Sequence, residues 1–187
     1  MPAIFRRRET TGLPPVVRAA VDAADSDTRR TGAVLASAAT TSRGEPGWLI
    51  ATTHDLAFIS ESEPHVRWRR PWHEVDTASW GREAAELTIT FVDGGRPTAY
   101  ALGREDAFLR VLRERVQASA VTSVELDLPR PKRARVAIRQ DLATGDLLDQ
   151  VVLGRGTRSS PEIDAHAARV LAFLRDEVGL PPTTKGL

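Results

Sequence analysis

The sequence predicts an α+β fold: a barrel or sandwich of short antiparallel strands closed by one helix, with an appended β-β-α element. Three observations carry this expectation. Between residues 33 and 102 the apolar residues recur mostly at every second position, interrupted by turn-forming clusters such as Ser42-Arg43-Gly44-Glu45-Pro46-Gly47 and Asp93-Gly94-Gly95. The period then lengthens to that of a helix at Phe108, Leu109, Val111, Leu112 and Val116. After Pro129-Arg130-Pro131 a hairpin pattern and one more amphipathic helix follow.

Taken in order, residues 1–30 read as an N-terminal arm. Within it Pro14-Pro15 can open a short helix, since a missing N–H costs nothing in a first turn. Strands are expected at 33–41, at 48–52 and 56–59 around Thr53-His54-Asp55, at 66–69, at 72–80, at 87–91 and at 98–102. In the 72–80 segment, strict alternation places Trp72, Ala78 and Trp80 on one side and Val75 on the other. Glu105 and Asp106 favour a helix start there, because carboxylates stabilise the positive end of the helix dipole. Residues 121–128 read as extended and close a domain spanning 31–128. Residues 129–187 hold a hairpin, 134–140 and 147–153 around a loop with Gly145, and a helix from Pro161 to about Val178 with Ser160 as N-cap.

Composition sets aside several chemistries. The chain has no cysteine, which removes disulfides, thiolate nucleophiles and thiolate metal sites and favours a reducing, cytoplasmic setting. Its net charge of +1 argues against a protein devoted to coating nucleic acid. No run of apolar residues is long enough for a membrane span, so integral membrane association is not expected, and Met1 to Glu9 does not read as a secretory signal. His54, His65, His73 and His166 are not spaced as a metal pair. No G-x-S-x-G elbow or P-loop occurs, and no carboxylate pair stands out as general acid and base. No cofactor and no catalytic residue are expected.

Pro71-Trp72-His73-Glu74-Val75, leading to Ala78-Ser79-Trp80, resembles the proline–aromatic–x–acidic–aliphatic strand of bacterial, actinobacterial-type PH-like domains of uncharacterised function. Trp48-Leu49-Ile50-Ala51-Thr52-Thr53 before Leu56-Ala57-Phe58 resembles a hairpin of the same domains, and the strand at Leu87 and the helix at 107–116 follow in their order. The resemblance covers about residues 31–118 and implies the scaffold. The first hairpin holds Arg43 alone beside Glu45, where phosphoinositide-binding PH domains carry a basic cluster, so headgroup binding is not implied with it.

Three arginine-rich segments are the candidate partner surfaces: Arg67, Arg69 and Arg70 interleaved with Trp68 and Trp72; Arg130, Lys132, Arg133 and Arg135, with Arg139 beyond; and Arg155 with Arg158 in a glycine-containing loop before the last helix. A solvated charged face gives the same pattern in the first, and a charge-protected strand edge in the second. In the third, Ser159 stands where a dinucleotide fingerprint needs its last glycine. The four tryptophans read as core and barrel-rim packing. The expectation is a non-catalytic adaptor for a protein or peptide partner, a homo-oligomer included. The alternative is a peripheral binder of anionic lipid or nucleic acid through those arginines.

Overall fold

The computed structural model describes residues 13–28, 32–63, 65–103 and 105–181. Its centre is one antiparallel sheet of seven strands: β1 (Val34–Ser42), β2 (Glu45–Thr52), β3 (Asp55–Ser60), β4 (Val66–Pro71), β5 (Val75–Gly81), β6 (Glu86–Phe91) and β7 (Thr98–Leu102). Their order is β4-β3-β2-β1-β7-β6-β5, so the first and last strands of two meanders meet at β1. That seam is short, Thr40 opposite Leu102 and Thr41 opposite Ala101. Two buried hydroxyls reinforce it: Thr40 Oγ1 donates to the Ala101 carbonyl at 2.8 Å and Ser42 Oγ to that of Ala99 at 3.0 Å.

The sheet curls strongly into a half-barrel, and helix α2 (Asp106–Ser119) plugs it with Phe108 and Leu112. This is the α+β class expected, with its antiparallel strands and closing helix. Inside lie Leu49, Ala51, Leu56, Phe58, Trp72, Val75, Leu87, Ile89 and Tyr100. Where β4 approaches β6, no strand pairing among the described residues closes the roll, and side chains meet there instead. Trp68 meets Phe91 edge-on with ring centroids 5.3 Å apart, and Phe58 meets Tyr100 at 5.8 Å.

The 72–80 segment is not one extended strand. Trp72–Glu74 forms a 3-10 turn, closed by the Val75 N–H donating to the Trp72 carbonyl. Residues three apart share a side in such a turn, so Trp72 and Val75 both enter the core, where strict alternation would have divided them.

The expected arm is a packed element in its described part. Helix α1 (Pro15–Thr28) lays Val17 and Val21, with Leu13 just before it, on the outer face of β2 and β3 against Ile50, Ala57 and Ile59. That is why every residue of β3 is buried: Leu56 and Phe58 face the barrel interior, while Ala57 and Ile59 face α1.

The appended unit has one strand more than expected. The stretch expected to close the barrel domain contains β8 (Ala120–Glu125), which pairs antiparallel with β9 (Ala134–Gln140), itself paired with β10 (Leu147–Leu153). Helix α3 (Pro161–Glu177) covers this sheet with Ile163, Ala167 and Leu174 on Val136 and Ile138. The reason lies in β9: with Val136 and Ile138 fully buried, its backbone needs a neighbour on each side, and β8 supplies the second. Ser160 caps α3, its hydroxyl accepting from the Ile163 N–H.

Candidate functional site: a groove between the free edge of β5 and helix α2

β5 pairs only with β6, and among the described residues no strand covers its other edge. Beside that edge runs a groove of about 520 Å³, walled by Ala78 and Trp80 of β5, Leu87 of β6, and Asp106, Leu109, Arg110, Leu112, Arg113, Val116 and Gln117 of α2. Its floor is apolar and its helical rim carries Arg110 and Arg113, opposed by Asp106. A second cleft of about 300 Å³ continues past Val116 and Gln117, which border both, to Asp76, β8 and β9.

At that end the two units are joined by polar side chains of the appended sheet. Arg139 Nη2 donates to the carbonyl oxygens of Trp72 (3.0 Å) and Val75 (3.2 Å) and to Ser119 Oγ (2.6 Å). Arg135 pairs with Asp76, and Gln150 Nε2 donates to the His73 carbonyl at 2.8 Å. The carbonyls of Trp72, His73 and Val75, in and beside the 3-10 turn, each thus receive a side-chain donor from the appended sheet. Burial pulls the Arg139 pKa below its ordinary value, and the nearby Arg135 adds to this, while Asp76 opposes it.

The sequence-derived candidates fall in three places. Arg67, Arg69 and Arg70 each face carboxylates: Arg67 meets Glu45 at 2.9 Å and Glu63 at 3.9 Å, and Arg69 meets the buried Asp55 at 2.6 Å. Arg70 bridges Glu74 (2.9 Å) and Asp93 (2.7 Å) while lying over the Phe91 ring. The Glu74 hydrogen bond raises the Arg70 pKa. In this position the three arginines fasten β4 to its neighbours.

Arg130, Lys132 and Arg133 are exposed around a cleft that also contains Glu125 and Asp127. Exposed Arg155 and Arg158 come close to them, because the Arg133 N–H donates to Thr157 Oγ1 at 2.9 Å and the Gly154 N–H to the Arg133 carbonyl at 2.8 Å. Two segments distant in sequence therefore form one basic end of the appended unit. Among the described residues its five cations make no ion pair.

Sequence reasoning missed the groove. Trp80 was legible as core or rim packing and Leu109 as part of the helix's buried stripe, but which edge stays unpaired depends on strand order. Among the described residues no three metal-ligating side chains come together, and no helix is long and apolar enough to cross a membrane.

The protein is an α+β half-barrel with a helix-flanked sheet edge and a three-stranded annex. No family model matches the chain and no curated protein does. Among solved structures it is similar to the C-terminal domain of an unknown protein from Leishmania infantum, at 13% identity and a TM-score of 0.46, over 54% of this chain and 98% of that one.

Proposed function

We propose that the protein is a non-catalytic, cytoplasmic adaptor of PH-like type that holds an extended segment of a protein partner along β5, with alternate side chains of that segment in the groove against α2. The observation that carries this reading is the coincidence of an unpaired strand edge and an apolar groove. An added strand satisfies its backbone on β5 and aims every second side chain at Trp80, Leu87 and Leu109. Arg110 and Arg113 on the rim favour acidic residues beside the apolar ones. A second copy of the chain is one source of such a segment.

The test is selection from a displayed library of linear peptides, followed by titration of the selected peptides and hydrogen exchange of the complex. Binding should slow exchange of the β5 amides from Thr77 to Trp80, and Leu109→Arg should weaken it at least tenfold with the fold intact by circular dichroism. Selected peptides that protect another surface, or a library that yields none, would refute the reading.

The alternative is peripheral binding of anionic lipid or nucleic acid. What favours it is the convergence of Arg130, Lys132 and Arg133 with Arg155 and Arg158. Anionic vesicles and an oligonucleotide titrated at two salt concentrations test it, since such binding weakens steeply with salt.

A further inference from the structure

We propose that the cleft at the junction of β5, the end of α2 and β8 is a carboxylate-binding subsite, centred on Arg139 and Arg135, for an acidic group of the segment held along β5. It rests on that reading for its physiological occupant, but the site stands on its own geometry. Arg139 is only 6% exposed, and the partners of its guanidinium are two carbonyls and a hydroxyl, all of them neutral and all on Nη2. Its Nε is buried without a hydrogen-bond partner. Arg139 makes no ion pair among the described residues, and the nearby Asp76 is taken by Arg135. A buried guanidinium bonded only to neutral oxygens keeps its charge and calls for an anion.

The cleft beside it, about 300 Å³, offers room for one. Ser123 pairs with Ala137 across β8 and β9, placing its hydroxyl on the same side of the sheet as Arg135 and Arg139. The charges lining the cleft are Arg135, Arg139 and Asp76, a net of +1 from two cations and one anion. That balance suits a carboxylate better than a dianionic phosphate, whose second charge Asp76 would oppose. Glu125 stands opposite Arg135 in the register but lines the neighbouring cleft, not this one. Since Val116 and Gln117 border both cavities, a strand in the groove leads into the subsite.

The experiment follows the Nε–Hε resonances of Arg135 and Arg139 in the intact protein during titration with sodium acetate at constant ionic strength, with chloride as control. Two further probes, Nα-acetylglutamic acid amide and Nα-acetylglutamine, present a side-chain and a terminal carboxylate, and the tighter of them names the source. Acetate should shift both resonances saturably. The Ser123→Asp variant, which puts a carboxylate in the cleft, should raise the thermal midpoint and abolish the acetate shift. Resonances that do not respond, that drift without saturating, or that respond equally in the Ser123→Asp protein overturn the proposal. Saturable acetate binding in a protein for which no selected peptide protects β5 upholds the subsite and removes the groove reading, while peptides that protect β5 without competing with acetate overturn the assignment of the subsite to the held segment. Peptide binding without an acetate response does the reverse.

Discussion

Arg139 Nη2 in β9 lies 3.0 Å from the carbonyl oxygen of Trp72, a residue 67 positions earlier at the start of the 3-10 turn. The Trp72 indole, fully buried, donates in turn from Nε1 to the Thr52 carbonyl at 3.0 Å. One side chain of the appended sheet is thereby linked to the centre of the barrel core. Truncation by Arg139→Ala leaves the Val75 carbonyl without that donor and opens space beside Ser119. Unfolding in urea should show a loss of about 2–4 kcal/mol. Arg139→Met, which keeps the stem, should lose less.

Gly47 of β2 pairs with Ser60 of β3 in a crowded part of the ladder. A Cβ there would stand 2.4 Å from the Ile59 carbonyl oxygen and 2.7 Å from the Phe58 ring. The carbonyl belongs to backbone held in the β2–β3 ladder and has little freedom to retreat. Gly47→Ala should therefore destabilise by about 1–3 kcal/mol, the usual cost of overpacking, read as a lower urea midpoint.

The docking of α1 rests on Val17, 1% exposed against Ile50 and Ile59. Val17→Ala should lower stability by about 2 kcal/mol, from two lost methyl groups and the space they leave. Val17→Asp should release the helix, measured as faster proteolytic cleavage within residues 15–28 while the barrel stays resistant.

Tyr100 is the only tyrosine of the chain, so its phenolate absorbance reports one site. Burial raises its pKa to about 12, with Trp68 and Arg43 opposing. The unfolded chain ionises near the ordinary value of 10.0 and the folded one does not. Between these values the unfolded state has released a proton that the native state retains, so stability is complete below the lower value and declines towards the upper. The loss should be on the order of 2 kcal/mol, with Tyr100→Phe flattening that part of the profile.

Elements whose signal is local were legible. β6 and β7 alternate cleanly, α2 and α3 repeat with helical period, and Ser160-Pro161 marks the start of α3 on its own. Trp72 was misplaced because a single turn of three residues is too short to show its period in sequence, and the choice falls to the core that Trp72 and Val75 fill together. β8 was legible as extended but not as a partner of β9, because register between two strands separated by the loop 126–133 is written in neither one alone. Of the charged candidates, Arg67, Arg69 and Arg70 were visible as alternating cations, while their carboxylates at 45, 55, 63, 74 and 93 are scattered along the chain.

Periodicity, turn chemistry and the missing cysteines are properties of short stretches of chain, and by themselves they determined the α+β class, the closing helix and the absence of thiol chemistry. Strand order, the free edge of β5, the seating of α1 and the placement of Arg139 on neutral oxygens were decided by tertiary structure. Each depends on which distant surfaces bury one another, and that energy comes from contacts between segments dozens of residues apart.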